Sequence, residues 1–139
     1  EVEITNCRFE KLPTRGILMT THRPVRITDN EFIKCPLPAI LIADDARSWY
    51  ESGAVTDVLI ARNRFVECST PAISIAPEAE LSSRMVHSNI RIIDNTFISP
   101  EPVKISAYSV NGLTVKDNRF ITPDGKPQKS ILETLNVTQ

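Results

Sequence analysis

The chain has 139 residues, of which 16 are basic and 17 acidic, and its formal net charge is −1. This length fits one domain with a real core. The balanced charge, with no basic stripe or tail, argues against a nucleic-acid partner or an anionic membrane surface. No apolar run reaches the roughly 18 residues of a membrane helix, so we expect no membrane insertion.

Five segments share one pattern that ends in phenylalanine. In chain order they are VEITNCRF, VRITDNEF, VLIARNRF, IRIIDNTF and LTVKDNRF, ending at Phe9, Phe32, Phe65, Phe97 and Phe120. The phenylalanines lie 23, 33, 32 and 23 residues apart. In every segment aliphatic residues stand seven and five positions before the phenylalanine, and this period of two predicts a strand with one buried face.

Two further positions repeat with the phenylalanine. An asparagine, or Cys7 in the first segment, stands two residues before it. An asparagine can donate and accept along a stack and tolerates the left-handed backbone of a tight corner, so we expect both properties there. Eight residues after the phenylalanine a second apolar alternation opens; its first residues are Ile17, Ile40, Ile73, Ile105 and, three residues late in the fifth unit, Ile131.

Repeats of about 23 residues that hold two or three short strands without a helical period are typical of a parallel β-helix. A leucine-rich repeat has a similar length, but its leucine frame is absent from this sequence. We therefore predict an all-β fold, a right-handed parallel β-helix (solenoid) of about five rungs. We expect residues 1–139 to form a single parallel β-helix domain that is a fragment of a longer protein, and self-association through the solenoid ends is a further expectation.

Three cysteines without CxxC spacing indicate neither a zinc site nor a disulfide framework. Cys35 and Cys68 both stand three residues after a phenylalanine, so they fall in adjacent rungs. Side chains in register on parallel strands meet disulfide geometry poorly, and we predict two stacked free thiols.

Two consecutive rungs are about ten residues longer than the others, and the extra residues fall at one corner. Loops that leave a solenoid side by side form a wall or cleft. Counting from the phenylalanines brings Thr21 and His22, Asp44 and Asp45, and then Glu78 to this corner in successive rungs. His22, Asp45 and Glu78 are expected to form a line at the mouth of the two loops.

Hydrolysis of a glycosidic bond needs two carboxyl groups in distinct environments, and this corner supplies several. Trp49 and Tyr50 can present an apolar platform to a sugar, and Arg47 and Glu51 can bond its hydroxyls. The alternative is that the acids only bond nearby backbone amides, as turn residues do. His87 is placed in a loop without an identifiable partner, and we expect neither a metal site nor a cofactor.

The runs RGILMTTHRPVRITDNEF, PAILIADDARSWYESGAVTDVLIARNRF and PAISIAPE resemble the β-helix of bacterial α-1,3-galactosidases that cleave blood-group-B-type and linear glycans. The resemblance implies a secreted or periplasmic, metal-independent and inverting exo-glycosidase that binds terminal α-galactoside glycans. By position, Asp44 and Asp45 match the acidic pair of that family's active centre, one as general base and the other as acid or galactose anchor. Thr21 stands one rung away, where a further acid would complete a three-carboxylate site.

Two other functions compete with this interpretation. A non-catalytic carbohydrate-binding or structural β-helix module would use Trp49 and Tyr50 to contact glycan without cleaving it. A β-helix polysaccharide lyase needs a lysine or arginine base, often with calcium, and the acid-rich corner disfavours it.

Overall fold

The computed structural model describes residues 1–44, 55–68, 71–77 and 87–139. Every named regular element in these ranges is a β-strand, as the alternating apolar pattern predicts. The strands are β1 (Val2–Thr5), β2 (Arg8–Glu10), β3 (Ile17–Met19), β4 (Val25–Thr28), β5 (Glu31–Ile33), β6 (Ile40–Asp44), β7 (Val58–Ala61), β8 (Arg64–Val66), β9 (Ile73–Pro77), β10 (His87–Ile93), β11 (Thr96–Ile98), β12 (Val103–Lys116), β13 (Arg119–Ile121) and β14 (Ser130–Thr138).

The strands stack in register into two parallel sheets, and each rung contributes to both. The five-stranded sheet has the order β13-β11-β8-β5-β2. The other sheet has two wings: β1, β4, β7 and β10 form the first, and β3, β6 and β9 form the second. The long strand β12 joins the wings, because its residues Ile105–Ala107 pair with β9 and its residues from Val110 to Lys116 pair with β10. This winding is the parallel β-helix that the sequence predicts, with three strands in a rung.

The phenylalanines form one continuous stack through the core. Adjacent rings lie 4.6 to 4.9 Å apart between centroids, with planes 6° to 8° from parallel. This spacing matches the separation of neighbouring strands, because in-register pairing places each ring directly over the next. Columns of isoleucine and valine fill the rest of the interior, among them Ile27, Ile60 and Ile92, each fully buried.

The asparagine corner, where a first-wing strand turns into the five-stranded sheet, is held by a buried amide ladder. The amide oxygen of Asn63 accepts hydrogen bonds from the backbone N–H and the side-chain amide of Asn30, at 3.0 and 3.1 Å. Asn95 accepts the same two bonds from Asn63, at 2.9 and 3.1 Å. Asn118 continues the ladder above Asn95, and the backbone of Cys7 donates to Asn30 below it. The predicted asparagine stack is confirmed.

The left-handed backbone at this corner belongs to the residue before the asparagine, so that part of the prediction was wrong by one position. The residues with positive φ are Asn6, Asp29, Arg62, Asp94 and Asp117. The asparagine itself stays outside the left-handed region because its side chain must point along the rod to bond its equivalents. The turn before it is made mostly by Asp and Asn, which tolerate this conformation best after glycine.

The fifth unit also differs from the prediction by one residue. Leu132, and not Ile131, is the register partner of Ile105, and Ile131 pairs with Lys104. A turn stabilised by the bond from Thr122 N–H to the Lys126 carbonyl, 2.8 Å long, precedes β14 and shifts the alternation. Both residues are exposed, Ile131 to 49% and Leu132 to 42%.

Cys35 and Cys68 are free thiols in adjacent rungs, as predicted. Cys35 is buried, and the Cys68 thiol donates to the Phe32 carbonyl at 3.4 Å. Burial raises the pKa of Cys68 to about 12, and it raises the pKa of Cys35 as well. Both sulfurs are therefore protonated at neutral pH.

Within the ranges given above, there is no helix with the length and apolarity of a membrane span.

Candidate active site

The loop corner is where a second-wing strand gives way to the first-wing strand of the next rung. β6 ends there at Asp44 and β9 ends at Pro77, and the two residues are register partners. The register agrees with the count of twelve residues from each phenylalanine. The backbone of Asp44 is thus at the edge of the regular coil, where residues 45–54 begin. The structure does not describe the Asp44 side chain.

Thr21 and His22 occupy the same corner one rung away. Thr21 is half-buried, and its hydroxyl oxygen accepts a 3.2 Å hydrogen bond from the backbone N–H of Arg23. His22 is exposed, and its carbonyl accepts a 3.0 Å bond from the hydroxyl of Thr56 in the next rung. The imidazole of His22 is therefore available to solvent at the corner.

The remaining predicted site residues fall outside the described residues. They are Asp45, Arg47, Trp49, Tyr50, Glu51 and Glu78. The line of His22, Asp45 and Glu78 therefore stays a prediction, as do the roles of Trp49 and Tyr50.

His87 was predicted to lie in a loop without a partner, and this was wrong. His87 begins β10 and is only 1% exposed. Its Nδ1 accepts a 3.1 Å hydrogen bond from the backbone N–H of Val55. Val55 and His87 follow residues 45–54 and 78–86 respectively, so the bond joins the places where both inserted segments return to the coil.

A signal for His87 was present in the sequence. It stands ten residues before Phe97, and the same count gives the fully buried Val55 and Val110 in the two neighbouring rungs and the exposed His22 before Phe32. A histidine between two buried valines indicates a buried imidazole with a specific hydrogen-bond partner.

Next to this point, a polar cluster lies on the outer surface of the first wing. One carboxylate oxygen of Asp57 accepts from Asn89 at 3.1 Å and from the guanidinium of Arg91 at 2.9 Å. The carbonyl of Asp57 accepts from Val25 N–H at 2.9 Å. The cluster fixes the chain just after each inserted segment returns, on three adjacent rungs.

A depression of about 470 Å³ lies at the asparagine corner. Its charged groups pair with one another: Arg62 contacts Asp29 at 3.0 Å, and Arg64 contacts Glu31 at 3.1 Å. Arg8, the third arginine of the lining, contacts Glu10 at 3.1 Å and Glu31 at 3.5 Å, so each of these arginines has a carboxylate partner. Within the described part of the chain, no group of three or more histidine, cysteine, aspartate or glutamate side chains is placed to hold a metal ion.

Fold and register define a parallel β-helix whose rungs are interrupted at one corner. Residues 1–121 match the right handed beta helix region family, and the chain belongs to that family. The match confirms the predicted hand of the coil.

The chain is similar to several alpha-1,3-galactosidases. It is 45% identical to alpha-1,3-galactosidase A of Peterkaempfera griseoplana over 120 residues, which cover 85% of this chain and 16% of the relative. It is 42% identical to alpha-1,3-galactosidase A of Bacteroides fragilis over 138 residues, 94% of this chain and 23% of the relative. The protein of the same name from Akkermansia muciniphila is 41% identical over 125 residues, 90% of this chain and 21% of the relative. The chain thus spans less than a quarter of the length of these curated relatives.

Proposed function

We propose that the chain is the β-helix part of a glycoside hydrolase that removes terminal α-1,3-linked galactose with inversion. The observation that carries this proposal is the identity of 41% to 45% with alpha-1,3-galactosidases over most of the chain. The position of Asp44 at the loop corner, where long segments leave two adjacent rungs, supports it further. A secreted or periplasmic location belongs to the same proposal.

In this mechanism Asp44 and Asp45 are the catalytic pair. One carboxyl group protonates the leaving oxygen or anchors galactose, and the other activates the water that attacks the anomeric carbon from the opposite face. Inversion needs carboxyl groups roughly 6.5 to 9.5 Å apart, so that a water fits between base and sugar. Neighbouring residues of an extended chain point in opposite directions, and such an arrangement is compatible with this separation.

The substrate-binding groups come from three rungs. Thr21 and His22 supply a hydroxyl and an imidazole from the first rung, and Glu78 supplies a carboxyl from the third. Trp49 and Tyr50 give an apolar surface for the C–H face of galactose. The other proposed contacts to sugar hydroxyls are Arg47 and Glu51.

A chimera tests the proposal in a protein of full length. Residues 1–121 of this chain replace the matched segment of the Bacteroides fragilis relative, and galactose release from an α-1,3-linked galactose disaccharide is measured. We expect activity, with β-galactose as the first anomer in NMR spectra. Asp44→Asn and Asp45→Asn should each lower kcat by about 10²- to 10⁴-fold, the usual contribution of a positioned acid or base.

The matched control is Asp94→Asn, the same chemical change at an exposed residue of the asparagine corner. Its left-handed backbone accepts asparagine as readily as aspartate, so activity should not change. Full activity of both Asp44→Asn and Asp45→Asn would remove these residues from the mechanism, and α-galactose as first product would exclude inversion.

A second candidate is a carbohydrate-binding module without catalysis, and Thr21 favours it. At this corner position the first rung offers a hydroxyl, bonded to the backbone of Arg23, in place of a third carboxyl group. A chimera that binds the disaccharide with a change in Trp49 fluorescence but releases no galactose would support this candidate. In that case Trp49→Ala should weaken binding more than Asp44→Asn.

A further inference from the structure

We propose that His87 is a positioning residue that holds the return points of both inserted segments in one geometry and so sets the spacing of the candidate active site. This inference rests on the proposed function for its catalytic consequence. The contact itself is a 3.1 Å hydrogen bond from Val55 N–H to Nδ1 of His87.

The contact defines the chemical state of the imidazole. Because Nδ1 accepts a hydrogen bond, it carries no proton, and the ring is the neutral tautomer protonated at Nε2. A cationic imidazole would present N–H groups on both nitrogens and would face the Val55 N–H with a second donor. The bond therefore exists only with a neutral histidine.

Packing does not explain a histidine at this position. Its equivalents in the neighbouring rungs, Val55 and Val110, are valines that fill the same interior column, and both are fully buried. Burial of an imidazole costs free energy unless a specific partner compensates it. The acceptor nitrogen is the property that valine lacks, and Val55 N–H is the group that uses it.

The bond links the third and fourth rungs at the loop corner, and other contacts extend the link. Ser88 N–H donates to the Val55 carbonyl at 2.9 Å. The N–H and the carbonyl of Val55 are thus both bonded to the fourth rung, the first by the His87 side chain and the second by the Ser88 backbone. The hydroxyl of Thr56 reaches the His22 carbonyl one rung further along. The chain that carries Asp45 is thereby tied, just beyond its inserted segment, to the chain that carries Glu78.

Catalytic groups need to be held near their productive geometry, and a misplacement of 1 Å can cost about 100-fold in rate. Loss of the His87 bond would leave Val55 held only by Ser88 and so loosen the return point of residues 45–54, while the strands of the coil stay paired. We therefore expect an effect on kcat that exceeds any effect on the coil.

Two variants distinguish the contribution of the acceptor nitrogen of His87 from the contribution of its ring volume. His87→Phe keeps an aromatic ring and removes the acceptor, whereas His87→Asn places an amide oxygen near the position of Nδ1. In the chimera, His87→Phe should lower kcat about 10- to 100-fold with little change in KM. His87→Asn should recover most of the loss. Ser88→Ala is the neighbouring control and should keep wild-type activity, because the Ser88 backbone bond remains.

Hydrogen exchange gives a readout that is independent of activity. In residues 1–139, His87→Phe should speed exchange of the Val55 amide about tenfold or more, the effect of one lost hydrogen bond, while the Val58 amide keeps its protection. Unchanged exchange at Val55, an active His87→Phe chimera, or a His87→Asn chimera as slow as His87→Phe would each overturn the proposal. A uniform rise in exchange at Val55 and Val58 would also overturn it, since His87 would then stabilise the coil in general. Failure of the proposed function is distinct: the wild-type chimera would itself be inactive.

Discussion

The asparagine corner and the loop corner repeat with the same rungs of one rod, yet they differ in their hydrogen bonding and in the length of chain they contain. At the asparagine corner one side-chain type bonds its equivalents over successive rungs, with every ladder bond between 2.9 and 3.1 Å. At the loop corner residues 45–54 and 78–86 are inserted into two rungs, whereas β12 runs through the same corner as one continuous strand.

The difference shows how a solenoid combines rigidity with variation. A ladder that satisfies buried backbone groups allows no insertion, because one extra residue would break its register. The loop corner has no such ladder among the described residues, and its lengths differ freely from rung to rung. The candidate active site lies at the loop corner, where the length of the chain varies. The asparagine corner keeps the coil that carries this site in a fixed register.

The largest effect is expected at the asparagine ladder. In Asn63→Ala, Asn30 loses the acceptor for two N–H groups and the Ile27 carbonyl loses a donor at 2.9 Å. Asn63 is 2% exposed, so water does not replace these partners, and the free energy of unfolding should fall by about 3 kcal/mol in a urea titration.

Asn118→Ala is the comparison for that experiment. Asn118 makes equivalent bonds to Asn95 and to the Ile92 carbonyl, but it is only partly buried. Water can therefore replace some of its partners, and its loss should be clearly smaller. Equal losses at positions 63 and 118 would show that burial does not decide the strength of the ladder.

A smaller effect is expected at the loop corner, at Gly112. This glycine has φ of +83°, and it lies in register with Asn89, whose φ is +50°. A Cβ on Gly112 would meet Asn89 backbone atoms no closer than 3.6 Å, so Gly112→Ala adds strain without a clash. It should destabilise the chain by about 1 kcal/mol, measured by thermal unfolding.

Gly112→Asn is the matched variant, because asparagine tolerates the left-handed region and already occupies it in the adjacent rung. Its loss should be smaller than that of alanine. An alanine variant as stable as the wild type would mean that the loop corner adapts its backbone where the asparagine corner cannot.

The smallest effect concerns pH and the segment between β8 and β9, where Cys68 lies. Its pKa in the folded chain is raised to about 12 from an ordinary value of 9.0, because burial disfavours the thiolate. The unfolded chain therefore loses its proton first, and stability that is present below pH 9 declines as the pH rises toward 12. By pH 9.5 the loss is about 1 kcal/mol or less.

Urea titrations from pH 8 to pH 9.5 measure this slope, and Cys68→Ser removes the thiol's contribution to it. Cys7→Ser is the matched control, because it makes the same chemical change at an exposed thiol. A wild-type slope identical to that of Cys68→Ser would contradict a buried, protonated thiol in this segment.

Much of the fold follows from spacing. Period-two alternation and the fixed offsets from Phe9 to Phe120 predict two or three strands per rung, their parallel register and the buried side of each strand. The stacking of Asn30, Asn63 and Asn95 follows from the same count. These features are predictable because in-register parallel pairing turns a position in the sequence directly into a position on the rod.

Other features depend on contacts that spacing does not contain. Leu132 takes the place expected for Ile131 because a turn before β14 adds a residue whose effect depends on its hydrogen bonds. The left-handed residue at the asparagine corner is the one before the asparagine, since the ladder itself requires an ordinary backbone there.

The sequence by itself determined a right-handed parallel β-helix, the corner at which Asp44 ends a strand and the two longer rungs beside it. Only the tertiary structure decided that His87 accepts a hydrogen bond from Val55, 32 residues away, and so joins the returns of the two inserted segments. The physical reason is that a hydrophobic pattern specifies which face of a strand is buried, whereas a hydrogen bond between a side chain and a distant backbone amide exists only after the rungs have stacked.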